Sequence, residues 1–304
     1  MTETLTATVQ AWRLFRATVS RTHRLSPSFV RITFAGEQLR EFGDDRDDQR
    51  VKVILPAPDG SLEVGDADQL SWYQELMARE ASHRNPVRTY TSRYVRADQG
   101  EVDIDFVLHG DEGPASRWAA RAAVGDEIIL CGPNLPHGGP YGGTGFKPAE
   151  GTDRFLLVAD ETAVPAALAI LEGLPEHASG AALLEVPHAD DALAVTAPAG
   201  VQVRWLAREG VATGSLLDPA VRALLDLWLG ERSGEGEADV ELPIDPDGFL
   251  WDVPEQAVRG EFYAWLAGEA SVVTGLRRAL VKEHGVDRRS VAFMGYWRAG
   301  KSES

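Results

Sequence analysis

A single cysteine, Cys131, in 304 residues excludes an intramolecular disulfide, a thiolate zinc site and an iron–sulfur cluster built from this chain alone. Such sparing use of cysteine fits a reducing cytoplasm. Long apolar runs are missing too. The longest candidate, residues 163–171, stops at Glu172, well short of the roughly 20 residues that cross a bilayer, so membrane insertion is not expected. Residues 1–10 lack a basic stretch before an apolar core and carry Glu3, so they do not read as a secretory signal. Basic charge is scarce: 30 Lys and Arg stand against 47 Asp and Glu, a formal net charge of −17. That balance disfavours nucleic acid and anionic lipid as partners, and any anionic ligand has to meet a local basic patch. The seven histidines form no His-x-x-x-His pair, and there is no Gly-x-Ser-x-Gly elbow or P-loop. Metal hydrolase, serine hydrolase and NTPase chemistries are poorly supported, and no metal site is expected. Nothing local lowers the pKa of Cys131, which reads as a core thiol.

What is present is ordinary globular composition, 44% hydrophobic and 25% charged. At roughly 150 residues per domain the length suggests two domains, or one large one. The first half alternates β-rich runs (residues 15–20, 29–34, 51–55, 87–94, 102–108 and 127–131) with turn clusters, and has one helical stretch at 116–123. That grammar predicts a small antiparallel β-barrel or sandwich. Beyond the Gly/Pro-rich segment 132–151 the pattern changes. Strands are expected at 154–159, 181–186, 201–206, 262–267 and 290–296, with helices at 163–174, 216–229 and 272–284. Strand–helix alternation means parallel pairing with crossover helices, a doubly wound α/β domain. The expected division is 1–145 and 146–304, with the acidic, Gly-rich segment 230–248 as a solvent loop.

Several short runs carry chemistry. Alternation puts Arg88 and Tyr90 on one strand face, where Tyr90 can stack on a ring and Arg88 can neutralise a phosphate, with Thr91 beside them for a polar edge. The same run also reads as an ordinary exposed strand. His109 to Ser116, including Gly113, Pro114 and Ala115, forms a strand–turn–helix whose glycines allow close backbone approach to an anion, or a plain turn with Ser116 as N-cap. Asp160, Glu161, Thr162 and Ala163 lie between the first α/β strand and its helix, where nucleotides bind parallel sheets, although no Gly-x-Gly-x-x-Gly is present. Thr162 is the expected cap there. Gly268, Glu269 and Ala270 repeat the arrangement, with Ser271 the expected cap; such turns occur in any α/β domain. Glu185, ending the second α/β strand, is positioned as a ribose 2′-hydroxyl acceptor, which leans toward NADH, or as a surface carboxylate. Trp297, Arg298 and Lys301 follow the last strand, and Lys52 interrupts an apolar one. Burial for Trp297 and a snorkelling edge-strand role for Lys52 are the plainer readings.

In this order the motifs resemble the siderophore-interacting protein family, flavin-dependent ferric-siderophore reductases of the ferredoxin-reductase-like superfamily. The likeness rests on Arg88-Thr89-Tyr90-Thr91, the run from His109 to Trp118, Asp160-Glu161-Thr162-Ala163-Val164-Pro165, Trp265-Leu266-Ala267-Gly268-Glu269-Ala270 and Gly295-Tyr296-Trp297-Arg298. Ala159, where family members often carry Gly, and the acidic loop are departures. The resemblance implies FAD on the barrel, held by Arg88, Tyr90 and Thr91 near phosphate and isoalloxazine and by His109 and Gly113–Ser116 around the ribityl and pyrophosphate. It implies NADH or NADPH on the α/β domain at Asp160–Ala163 and Gly268–Ala270, with Trp297 close to the flavin. Lys52, Arg298 and Lys301 are the candidate cations for an anionic ferric siderophore, and a ferredoxin-type donor is a further partner it admits. The implied chemistry is hydride transfer from nicotinamide to flavin N5, then one-electron transfer to chelated Fe³⁺, with Fe²⁺ leaving because hard oxygen chelators hold it weakly. Two alternatives stand beside this: a flavin reductase serving quinone, free flavin or a protein partner, and a siderophore-binding carrier without redox function.

Overall fold

The computed structural model describes residues 9–65, 71–109, 113–230, 251–255, 258, 260 and 262–300. The chain divides into two compact units. The first comprises Met1–Arg24, Val30–Asp45 and Gln49–Gly143, the second Leu25–Phe29, Arg46–Asp48 and Thr144–Ser304. The main break therefore lies between Gly143 and Thr144, and the sequence carries no sign that two short early segments join the second unit.

In the first unit, β1 (Trp12–Arg24), β2 (Phe29–Ala35), β3 (Arg50–Ile54), β4 (Val87–Thr91), β5 (Tyr94–Arg96), β6 (Glu101–Val107) and β7 (Glu127–Pro133) form one seven-stranded sheet, ordered β4-β3-β7-β1-β2-β6-β5. Alternate residues such as Phe15, Ala17 and Val19 of β1 point inward and bury a core with Phe34, Val53, Phe106 and Leu130. The run expected as one strand over 87–94 is broken because its partner changes. Ser92 N bonds Gln49 O at 2.9 Å, and the next residue, Arg93, donates its N–H to Asp103 O at 2.8 Å. That handover from β3 to β6 wraps the sheet around its core. A short helix the sequence reading did not anticipate, α1 (Trp72–Met77), contributes Trp72 to a second apolar cluster on Leu14, Ile54, Ile129 and Cys131. Burial pushes the Cys131 thiol up to about 12, and nearby Lys52 offsets this only in part. Helix α2 (Pro114–Ala119) completes this unit.

The second unit contains β8 (Arg154–Ala159), α3 (Val164–Gly173), β9 (Ser179–Val186), β10 (Gly200–Ala207), α4 (Leu217–Leu229), β11 (Trp251–Asp252), β12 (Phe262–Glu269), α5 (Ala270–Arg277) and β13 (Val291–Trp297). The order is β10-β9-β8-β12-β13-β11. Pairing is parallel except for β11, which runs antiparallel to β13 at the edge. The expected helix over 272–284 is α5 followed by a π-helical stretch, Arg278–Glu283. Residues 231–248 of the expected acidic loop lie outside the described residues. From β8 the chain moves outward through β9 and β10, then returns to the other side of β8 with β12. Ligands of open α/β sheets bind at the carboxyl ends of the strands beside that reversal.

Two carboxylates fasten the early segments into this unit. Asp48 is fully buried and accepts from Gly145 N at 2.9 Å, Phe146 N at 3.0 Å and the Trp265 indole at 3.0 Å. Asp191 accepts from Ser26 Oγ and Ser28 N, both at 2.7 Å. Burial alone would raise the pKa of Asp191, but the donors from Ser26, Ser28 and His188 outweigh it and hold the group below its usual range.

Leu266 is fully buried between β8 and β13, whereas Leu227 on α4 is 80% exposed. Leu266→Ala is expected to cost about 2–5 kcal/mol in urea unfolding, and Leu227→Ala less than about 0.5 kcal/mol; comparable losses would contradict this packing.

Candidate functional site

On β4, Arg88 and Tyr90 pair with Val53 and Val51 and share their face, leaving Thr89 and Thr91 on the other. Tyr90 is half-buried, with its ring centroid 4.4 Å from that of Phe106. Arg88 Nη1 donates to Val87 O at 2.8 Å. Thr91 is buried and lies opposite Arg88 and Tyr90. Lys52 Nζ donates to Thr89 Oγ1 at 2.9 Å, so Lys52 also occupies that opposite face.

At the following turn Gly113, not Ser116, is the N-cap of α2, and no side chain caps the helix. Ser116 sits in the first turn, where its hydroxyl accepts from His109 N at 3.1 Å. A Cβ on Gly113 would come within 3.1 Å of His109 Cε1, so the imidazole lies over bare backbone. Pro114 suits the first helical turn, and the Ala115 side chain belongs to the barrel core, leaving its backbone as the part a ligand can meet. Gly110, Asp111 and Glu112 lie outside the described residues. A half-buried tyrosine ring, an adjacent guanidinium, an imidazole and a glycine cradle are the donor set that a flat ring system with phosphates requires. These residues fit FAD.

In the second unit, Asp160 is 1% exposed and takes donors from several directions. Its Oδ1 accepts from Thr162 N at 2.9 Å and Thr162 Oγ1 at 2.5 Å, and its Oδ2 from Glu269 N at 2.7 Å and the Trp297 indole at 2.8 Å. Burial first, and the charge of Glu161 second, push its pKa up to about 6. Thr162 thus serves Asp160, while Ala163 is the N-cap of α3 without a side-chain bond. Glu269, not Ser271, caps α5: its carboxylate accepts from Ser271 N at 2.7 Å and Val272 N at 3.0 Å, and Ser271 Oγ donates to it as well. Burial opposes this charge, yet these donors and Ala299 N hold the Glu269 pKa below its ordinary value. Ala163 and Ala270 are buried, while Arg298 is exposed beyond β13. A small pocket of about 10 Å³, room for a single water, lies at this edge, lined by Asp160, Gly268, Glu269, Thr213, Leu217 and Val272 among others. Lys301 lies outside the described residues.

Glu185 does not present itself to a ribose. It is fully buried, and its oxygens accept from Gly214 N at 2.7 Å and from Leu216 N and Leu217 N at 3.1 Å, at the start of α4. Its lean toward NADH therefore falls away. The residue that sequence reasoning missed is Arg208, just past β10. It forms a two-pronged pair with Glu161 at 2.6 and 2.7 Å and reaches Glu185 at 3.4 Å. The one signal for it was a cation directly after a strand's carboxyl end. Glu185→Ala strands buried backbone donors and is expected to cost about 2–4 kcal/mol in urea unfolding; a cost below about 0.5 kcal/mol would show that these bonds do not hold α4.

A sequence model described as siderophore-interacting FAD-binding domain matches residues 18–137, and one described as siderophore-interacting protein matches residues 152–300. The ferric vibriobactin reductase ViuB of Vibrio cholerae is 30% identical over 92% of this chain and 87% of its own. The NADPH-dependent ferric-chelate reductase of Escherichia coli is 28% identical over 94% of each chain. Among solved structures, a siderophore utilization protein from T. fusca superposes with a TM-score of 0.73 at 31% identity, covering 97% of both chains. Matched in both halves and along nearly its whole length, the chain belongs to the siderophore-interacting protein family.

Proposed function

We propose that this protein reduces the iron of ferric siderophores with electrons drawn from NADH or NADPH through FAD, and that the Fe²⁺ is released in the cytoplasm. The observation that carries the reading is that one chain joins a siderophore-interacting FAD-binding half to a siderophore-interacting second half. Relatives named for reducing ferric vibriobactin and, with NADPH, ferric chelates support it further. Bound FAD supplies the conversion of a two-electron hydride donor into the single electrons that iron accepts.

The chain's own residues bind and orient. Arg88 neutralises a phosphate, Tyr90 offers its ring as a packing surface, and the turn from His109 through Gly113, Pro114, Ala115 and Ser116 lets backbone approach the dinucleotide. Thr91 lies buried on the opposite face of β4 from Arg88 and Tyr90. In the second unit the carboxyl edge of the sheet at Asp160–Ala163 and Gly268–Ala270 receives the nicotinamide nucleotide, with Trp297 beside it. Arg298 is the leading cation for an anionic chelate, with Lys52 and Lys301 as further candidates. In a protein of net charge −17, local cations of this kind decide how fast an anion is captured.

Two measurements test this. Initial rates of Fe²⁺ formation from a ferric siderophore are compared with rates for a quinone and for free flavin. A higher kcat/KM for the siderophore is expected; preference for quinone or free flavin would make the protein a general flavin reductase, and tight chelate binding by flavin-free, inactive protein would make it a carrier. Arg298→Ala and Lys52→Ala are expected to raise KM for an anionic ferric chelate about 3- to 10-fold while leaving that for a neutral chelate nearly unchanged. Equal effects on both chelates would remove these residues from the binding site.

A further inference from the structure

The ends of β8, β12 and β13 meet on one carboxylate. Asp160 follows β8, Glu269 ends β12 and Trp297 ends β13, and Asp160 Oδ2 accepts from the Glu269 backbone at 2.7 Å and the Trp297 indole at 2.8 Å. Two backbone features make this possible. Gly268 pairs with Gly295 but Glu269 pairs with Trp297, so β13 carries one extra residue there, and a bulge of this kind re-aims the side chain that follows it. Gly268 has φ 148°, and a Cβ on it would lie 2.6 Å from Asp160 Oδ2. Only glycine lets the carboxylate sit against the strand.

Tying β8 to β12 needs no more than the bonds to Thr162 and Glu269. The bond to Trp297 does something different, because that ring is partly exposed and adds little to the core. It holds an indole in one orientation at the carboxyl edge of the sheet, where β12 and β13 end. The residue after next is held too, through Ala299 N donating to Glu269 Oε1 at 3.2 Å. The nearby cation, Arg208, is engaged by Glu161 and Glu185, so the Asp160 carboxylate depends on these neutral donors.

We propose that Asp160 is a positioning residue for Trp297, fixing the indole at the carboxyl edge of the sheet as a packing wall for the nicotinamide nucleotide. The inference rests on the reading of that edge as the nucleotide site. In Asp160→Asn, an amide N–H₂ must face either the Thr162 donors or the Glu269 and Trp297 donors, so the tether is broken on one side. Trp297→Phe keeps a ring, keeps every other Asp160 bond and loses only the indole N–H.

The test is a double-mutant cycle on the holoenzyme, read as KM for NADH and NADPH against kcat with a ferric chelate. Each single variant is expected to raise nucleotide KM about 5- to 10-fold, the size of one well-placed aromatic contact, with little change in kcat. The double variant is expected to match the singles, because both break the same link. A second readout uses no turnover. In ¹H–¹⁵N spectra the indole resonance that disappears in Trp297→Phe should be downfield and protected from exchange, and should move upfield and exchange faster in Asp160→Asn. Multiplying KM effects, or an indole signal indifferent to Asp160→Asn, would overturn the proposal. If Asp160→Asn fails to fold, Trp297→Phe alone decides: an unchanged nucleotide KM overturns it. Wild-type protein that reduces ferric chelate but shows no coupling defeats the role of Asp160 alone, whereas wild-type protein that reduces none defeats the functional reading itself.

Discussion

A carboxylate removed from water must collect donors or take up a proton, and the second unit is organised by that requirement. Asp48, Asp160, Glu185, Asp191 and Glu269 are all buried, and each is surrounded by backbone N–H groups, hydroxyls or an indole. How the competition ends differs from group to group. At Glu269 and Asp191 the donors outweigh burial and the pKa falls. At Asp160 burial wins, helped by the adjacent charge of Glu161, and the pKa rises to about 6. The sign matters: with a folded-state pKa above the unfolded value, Asp160 takes up a proton as pH falls through about 6. Its charged form is therefore a cost to stability above that pH, retained where three strand ends need an acceptor.

The same economy of charge shapes how an anionic ligand is received. The protein carries a large negative excess, and Arg208, just past the carboxyl end of β10, is taken up by Glu161 and Glu185. In the function proposed above, recognition of the nucleotide at that edge falls to backbone, to small residues and to Trp297, in keeping with the missing glycine fingerprint. The first unit is equipped differently. Arg88 and Tyr90 share a strand face over an aromatic core that includes Phe106, and a bare glycine turn lies beneath His109. In the function proposed above, the first unit offers a cation and a ring for FAD, and the second a carboxyl edge whose buried carboxylates already have their own donors.

Much of this was legible in the sequence because it is local. Strand β8 was readable at 154–159 because its apolar run is continuous, as a strand buried on both faces requires. The motif order around Arg88, Asp160, Gly268 and Trp297 identified the family, and the family models agree. What escaped was tertiary. Nothing local marks the exchange of partners at Ser92 and Arg93, since a strand that changes neighbours keeps the same composition. Two residues, Trp251 and Asp252, are too few to give a strand pattern. Glu185 was misread because an acid at a strand end looks the same whether it faces a ribose or turns inward to a helix. Asp48 and Trp265 are 217 residues apart, and no spacing rule connects them. Ser271 was expected as the cap of α5 because capping residues are commonly hydroxyls, yet the preceding glutamate reaches the same N–H groups.

The most direct test of the central claim is the visible spectrum of the purified protein under anaerobic conditions, with NADH or NADPH added first and a ferric siderophore second. Oxidised-flavin bands that bleach with the nucleotide and return with the siderophore, as Fe²⁺ appears, are the result expected. A protein that stays colourless after incubation with FAD, or whose flavin bleaches but is not reoxidised by the siderophore, would contradict it.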